Sequence, residues 1–347
     1  MRALLTPHIE HYTIGLSSEL SKLVKITLLT TKRFNTQANQ IVVPNLPIPY
    51  FKGLMRKIIF KLFGGVYDII HVNTSQDGLF AGNFDKLLVT EHGWPDPKIV
   101  EETERGYYLK EQSALLKLYE MGVPIVTVSN YSAEMLRKLY GIKAHKVVYH
   151  ELLENFISKP KATPMKHRIL YVSRLVSAKE PFVLLKALSR ICNKLDFKAI
   201  IRGDGPLLDI VKRYVHQNNL DSCIHILGKV PFSKLPNLYK SHTIFVHTCS
   251  REPFGIAVLE AMGCGLPVIV PKEGGSLEVA GDAALTFKSG DYEDLSEKLL
   301  SICNDASLYE KLSKKSIIKN ILFIIPIIYL NILWRIFLSL LLRVFLP

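Results

Sequence analysis

The chain lacks several features that settle a function early. Its five cysteines, Cys192, Cys223, Cys249, Cys264 and Cys303, are an odd number with no C-x-x-C pair. That argues against a disulfide framework or a structural zinc site and fits a reducing compartment. No G-x-G-x-x-G follows the first apolar run, which disfavours a nicotinamide-dependent enzyme. An arginine-rich arm, zinc-finger spacing and an aromatic–basic RNA motif are all missing, so nucleic acid is not expected as a partner. The opening "MRALLTPHIEHYT" has no apolar core of a secretory signal, and a cytoplasmic location is expected. His8 and His11 have a metal-like spacing, but without a third ligand they read as ordinary loop residues, and no metal is expected.

What is present suits a globular protein of two domains. The 347 residues exceed the roughly 250–300 at which a single core stops growing. Hydrophobic residues make up 48% and charged residues 22%, and the mean hydropathy of +0.18 is high for a wholly soluble enzyme. The formal charge of +13 permits an anionic partner such as an acidic membrane surface or a phosphorylated small molecule.

Short apolar runs recur between helical patterns. The first half has "RALLT", "KITLLT", "QIVVP", "YDIIHVN", "KLLVTEH", "PIVTVS" and "KVVYH"; the second has "HRILYVSR", "FKAIIRG", "CIHILG", "TIFVHT" and "LPVIVP". Continuous rather than alternating apolarity predicts buried strands of parallel sheets. Strand alternating with helix through both halves predicts two Rossmann-like, doubly wound α/β domains facing a cleft, with ligands beyond the strand carboxyl ends. The polar "ENFISKPKATPMK" breaks the alternation and places the linker near 153–166, giving domains over 1–155 and 156–312.

Residues 313–347 form a hydrophobic tail. Ile321 to Leu342 is long enough to cross a hydrocarbon core of about 30 Å, although Pro326, Asn331 and Arg335 interrupt it. Three readings stand: a membrane anchor at the cytoplasmic face, a buried final helix, or an out-of-frame end rich in Ile, Leu, Phe, Asn and Lys.

Several residues suggest chemistry. Arg174 ends the run "RILYVSR" and Lys179 follows five residues later, so the two can converge on one anion, a diphosphate by preference; two solvated surface cations are the alternative. Gly203 opens "GDGP", either a plain tight turn or backbone lining a ligand. In "SREPFGIAVLEAMGCGLPVIVPKEGG" a helix is expected to begin near Phe254 and Gly255, its first-turn N–H groups facing an anion or sugar oxygens. Glu252 precedes that helix, and Glu260 shares a face with Ile256. Two carboxylates at different depths suit the hydroxyls of an elongated ligand, although a cap and a solvated glutamate would look the same.

The stretches "VSRLVSAKEP", "RGDGP", the run from "LGKVPF" through "GDAALTF" and "DYEDLSEKLLSI" resemble, in that order, the donor half of the retaining glycosyltransferases of family 4, which have the GT-B fold. The resemblance covers roughly 167–312, and its E-x7-E element runs from Glu252 to Glu260. It implies transfer from a nucleotide-diphosphate sugar to a glycan, lipid or small-molecule acceptor, with no further cofactor. Arg174 and Lys179 would then hold the diphosphate, Glu260 the ribose hydroxyls and Glu252 the donor sugar, beside the backbone of Phe254, Gly255 and Ile256. In the first half, "YDIIHVN" and "VTEHGWP" look like the family's strand ends, and His92 sits where the family often places a histidine near the donor sugar and acceptor, a plain turn histidine before Trp94 being the alternative. "VSNYSAEML" also resembles a family segment, where Ser129 and Asn130 precede a helix.

Two departures qualify the resemblance. Many relatives carry a paired-glycine loop after the first strand, whereas this chain has the lone Gly15, expected just before the helical "LSSEL". The resemblance also stops near Ser313. A catalytically silent sugar-nucleotide or glycan-binding protein on the same fold is the alternative.

Overall fold

A computed structural model of the chain describes residues 1–7, 10–43, 51–82 and 84–324. They divide into two compact units, Met1–Glu151 and Leu152–Ile324. The first holds a parallel sheet of β1 (Arg2–Leu5), β2 (Lys25–Thr30), β3 (Asn39–Val42), β4 (Ile69–Val72), β5 (Leu87–Glu91), β6 (Ile125–Thr127) and β7 (Lys146–Val147), in the order β3-β2-β1-β4-β5-β6-β7. Its helices are α1 (Glu10–Ser21), α2 (Phe51–Phe63), α3 (Ser75–Ala81), α4 (Glu102–Glu120) and α5 (Asn130–Tyr140).

Both sheet faces are covered, which explains the unbroken apolarity of the strands. Leu5, Leu28, Ile69, Leu88 and Val126 pack with Leu16 and Leu20 of α1, whereas Leu4, Leu29, Ile70, Val89 and Ile125 pack with Phe60 of α2 and Leu115 and Leu118 of α4.

The second unit repeats the plan with β8 (His167–Val172), β9 (Phe197–Arg202), β10 (Ile224–Gly228), β11 (Ile244–Val246), β12 (Val268–Pro271) and β13 (Ala284–Phe287), in the order β10-β9-β8-β11-β12-β13. Around it lie α6 (Pro181–Ile191), α7 (Leu208–Gln217), α8 (Leu235–Lys240), α9 (Ile256–Gly263), α10 (Gly275–Ala280), α11 (Tyr292–Asn304) and α12 (Ala306–Ile324). Leu184, Leu188, Leu295 and Leu299 of α6 and α11 close one face over Ile169, Ile201 and Val246.

Three expectations are corrected. The helix near Gly15 begins earlier, at Glu10, so Gly15 lies inside α1 rather than in a loop before it. A side chain there would collide with the Glu151 carboxylate. Second, residues 313–324 are not a separate tail: Ser316 donates to the Leu266 carbonyl at 2.9 Å and Asn320 to that of Leu259 at 3.1 Å, which docks α12 on α9. Beyond Ile324 the expected span lies outside the described residues, as does His8. Among the described residues no helix is long and apolar enough to cross a membrane.

Third, Cys192 and Cys223 form a disulfide with Cα atoms 6.6 Å apart, joining the end of α6 to the start of β10; Cys249, Cys264 and Cys303 are free. Spacing in the sequence cannot show such a pairing. Closing a loop of 31 residues restricts the unfolded chain, so reduction is expected to lower the stability of the second unit by about 3–4 kcal/mol. Melting curves with and without reductant, with Cys192→Ser as control, test this; superimposable curves would refute it.

Candidate active site

In the second unit the strand order reverses between β8 and β11, the point where open α/β sheets bind ligands beyond their strand ends. After β8 the chain passes the exposed Arg174, makes one 3-10 turn at Ser177–Lys179 and enters α6 through Glu180, whose φ is +50°. After β11 it runs through His247, Thr248, Cys249 and Ser250 to Glu252.

These two loops are stitched together. The hydroxyls of Tyr171 and Thr248 donate to the Lys179 carbonyl at 2.9 and 2.8 Å. The Cys249 thiol donates to the Ala178 carbonyl at 3.0 Å, and Ser250 donates its amide and hydroxyl to the Glu180 carboxylate at 3.2 and 2.5 Å. The left-handed turn at Glu180 is what aims that carboxylate back at the neighbouring loop.

The stitching brings Lys179 Nζ to 2.7 Å from Glu252 Oε2, with side chains 23% and 15% exposed. His247 Nε2 lies 3.2 Å from the same oxygen. Burial opposes charge on Glu252, but the Lys179 ammonium more than offsets it and His247 adds to the effect, holding the carboxyl well below its usual range. Burial likewise works against the Lys179 ammonium, and the Glu252 carboxylate overcomes it, so the lysine stays charged above its ordinary range. Both partners are therefore ionised at neutral pH. Sequence reasoning assigned Lys179 and Glu252 to different parts of one ligand, and the structure puts them in contact. It missed Tyr171, Glu180, His247, Thr248, Cys249 and Ser250, whose one available signal is the adjacency of the first and fourth strands in this sheet order.

Glycines hold the same loops from behind. A side chain at Gly203 would collide with the Ser173 carbonyl, and Gly205, at φ +147°, lets the turn approach Leu175. Leu175 in turn donates its amide to the Asp204 carbonyl at 2.9 Å. "GDGP" thus supports the loop that carries Arg174. On the other side a Cβ at Gly275 would collide with the Pro253 carbonyl, and the Gly275 amide donates to the Glu252 carbonyl at 2.6 Å.

Helix α9 begins at Ile256 with Gly255 as its N-cap at φ +99°, as the sequence suggests, and that glycine has no side chain to occupy the first-turn amides. Phe254 is buried, its ring set edge-on to Phe323 of α12. Glu260 is only 4% exposed, and its Oε2 accepts from the hydroxyl of the buried Tyr239 on α8 at 2.8 Å.

The first unit reverses its strand order between β1 and β4, and a second polar group gathers there. The Asn73 amide donates to the Thr6 hydroxyl at 3.0 Å, and its side-chain NH₂ donates to the Thr6 carbonyl. Asn73 Oδ1 must then accept, so the His92 Nε2 that lies 2.8 Å away carries the proton. The His92 ring stacks on that of the buried His150, centroids 5.3 Å apart and planes 10° from parallel. His150 was not singled out in the sequence, where it reads as the end of an apolar run. Asn130 is the first residue of α5 and donates to the Tyr149 hydroxyl at 2.7 Å, whereas Ser129 is the cap, accepting from the Ser132 amide at 2.9 Å.

Nearby in the chain, Glu111 accepts from the amides of Ser75 and Gln76 at 2.8 and 3.3 Å, and the Ser75 hydroxyl donates to Glu91 at 3.2 Å. Burial, aided by the neighbouring Glu111, pushes the Glu91 carboxyl from an ordinary 4.5 up to about 8. Between those values the folded chain holds a proton that the unfolded chain has lost. Stability is therefore full below about pH 4.5 and falls as pH rises towards 8, by up to about 1.4 kcal/mol per unit. Glu91→Gln is expected to flatten the decline, read as melting temperature between pH 5 and 8; an unchanged slope would contradict the assignment.

Two parallel-sheet units, each with its polar groups at a strand-order reversal, have the architecture of the GT-B fold. Residues 154–318 match the family described as "Glycosyl transferases group 1" and residues 9–150 the one described as "Glycosyltransferase Family 4". An uncharacterised glycosyltransferase of Methanocaldococcus jannaschii is 31% identical over 340 residues, 90% of either chain. The chain belongs to glycosyltransferase family 4. A second uncharacterised glycosyltransferase of that organism is 36% identical over 237 residues, 61% of this chain, and the match spans 60% of that relative's length. The fold is shared with the Anabaena protein HepE, solved in complex with UDP and glucose, at a TM-score of 0.78 and 20% identity over 97% of this chain and 99% of that one.

Proposed function

We propose that the chain transfers a hexosyl group from a nucleotide-diphosphate sugar to a glycan, lipid or small-molecule acceptor, with retention of configuration. The observation that carries this reading is the ionised Lys179–Glu252 pair at the strand-order reversal of the second unit. The UDP and glucose bound by HepE are in keeping with it.

On donor arrival Lys179 turns from Glu252 to the diphosphate, joined by the exposed Arg174, and the released Glu252 accepts hydrogen bonds from sugar hydroxyls. The amides at Phe254, Gly255 and Ile256 add donors to that pocket. Positive charge aimed at the departing diphosphate stabilises the transition state. The acceptor then enters on the face the leaving group vacates, its proton passing to the diphosphate, and no protein nucleophile takes part. In this reading His92, its tautomer fixed by Asn73, serves the acceptor.

Glu260 grips the ribose in this reading, and Tyr239 orients it. Tyr239→Phe is expected to raise the donor KM several-fold with kcat nearly unchanged, and to leave the KM of a donor lacking the ribose hydroxyls unaltered. An equal effect on both donors would remove Glu260 from the ribose. The reading as a whole is tested by incubating the protein with UDP-, GDP- and ADP-sugars, following thermal stabilisation and the anomer formed. No stabilisation by any donor would overturn it, and an inverted product would overturn retention.

A further inference from the structure

We propose that His247, Cys249 and Glu252 form a site for a thiophilic divalent cation. One ligand atom from each residue, a ring nitrogen, a thiol sulfur and a carboxylate oxygen, lies within 4.8 Å of the other two. His247 Nε2 and Glu252 Oε2 are 3.2 Å apart. Tetrahedral zinc, with bonds of about 2.0–2.1 Å to nitrogen and oxygen, sets such atoms about 3.3 Å apart. The His247 side chain is 4% exposed, yet its Nδ1 has no hydrogen-bond partner among the described residues and its Nε2 meets only the Glu252 carboxylate. Buried polar atoms left unsatisfied are rare, and a bound ion is one of their recurring explanations.

The mixed nitrogen, sulfur and oxygen set selects for zinc-like ions over magnesium or calcium, which take oxygen alone. Cys249 would release its thiol proton to solvent and give up its hydrogen bond to the Ala178 carbonyl. The ion reaches the trio past Glu252 and Lys179, the partly exposed pair. Its rival is the Lys179 ammonium, which it must displace from Glu252. A hard ion gains too little from Glu252 alone to do so, whereas a thiophilic ion gains the bond to sulfur as well. A cation seated here claims the carboxylate that the donor sugar needs. That competition rests on the donor-site reading above, while binding of the ion does not.

The test titrates the full chain with Zn²⁺ calorimetrically and repeats it with Co²⁺, whose bond to a thiolate gives a near-ultraviolet charge-transfer band. Wild type is expected to take up one ion, Cys249→Ser to bind at least about thirtyfold more weakly without the band, and Cys303→Ser to behave as wild type. Melting curves of the apo variants check that each is folded. No uptake by wild type, or unchanged affinity in a folded Cys249→Ser, overturns the site. Zinc that raises the donor KM without lowering kcat supports both readings; zinc that binds through Cys249 and leaves the donor KM unchanged upholds the ion site and counts against the donor placement.

Discussion

Replacing Lys179 by alanine is expected to lower kcat for sugar transfer by about two to three orders of magnitude, the usual consequence of removing one positioned donor from a developing negative charge. The fold should survive. Lys179 is held mainly through its carbonyl, which the hydroxyls of Tyr171 and Thr248 grip, and alanine keeps that carbonyl. What changes is Glu252, left with His247 as its neighbour and a carboxyl that rises back towards its ordinary range. Breaking a fully buried ion pair from one side costs about 3–5 kcal/mol. Exposure of 23% and 15% on the two side chains makes the loss smaller here. Adding Glu252→Gln to Lys179→Ala should restore part of the stability and none of the activity. A single variant with near-normal kcat would remove Lys179 from the site, and a double variant no more stable than the single would show that the pair is not coupled.

Gly275→Ala is expected to destabilise the second unit by about 3 kcal/mol or more, at the upper end of what single substitutions do. The new methyl collides with the Pro253 carbonyl, a backbone atom that cannot rotate aside. Relief requires moving the segment that carries Glu252, whose own carbonyl is tied to the Gly275 amide at 2.6 Å. Donor affinity should fall with stability for that reason. Gly290→Ala is the control: its φ of +75° is strained for alanine, but nothing lies within 4 Å of the added carbon, so it should lose only about 1–2 kcal/mol and no affinity. Denaturant titrations that give the two variants equal stability would refute the collision argument.

Much of the architecture is legible in the chain because a parallel sheet covered on both faces imposes continuous apolar runs. β13 escaped because "AALTF" is short and built largely of small residues, and it is defined by its pairing with β12. Gly15 misled for a related reason. A glycine reads as a helix boundary from local propensity, but here it sits mid-helix with the end of the Glu151 side chain lying against it. The family pattern singled out Lys179, Glu252 and Glu260 as candidates. Their partners escaped it, because Tyr239, His247 and the hydroxyls that hold Lys179 come from other elements and carry no spacing signature. The disulfide lay beyond reach for the same reason, since Cys192 and Cys223 meet only once α6 and β10 are packed.

Under the proposed function the Lys179–Glu252 contact also bears on the end of the catalytic cycle. A lone cation in a cleft would cling to a spent nucleotide diphosphate as firmly as to the substrate, and turnover would stall on a tightly held product. Glu252 is a tethered counter-ion that competes for the same ammonium at very high local concentration. Once the sugar has left and Glu252 is free, it draws Lys179 back and loosens the nucleotide. On that proposal the carboxylate that accepts from the sugar also ejects what remains, and Glu252→Gln should show its defect as slow nucleotide escape as well as weak sugar binding.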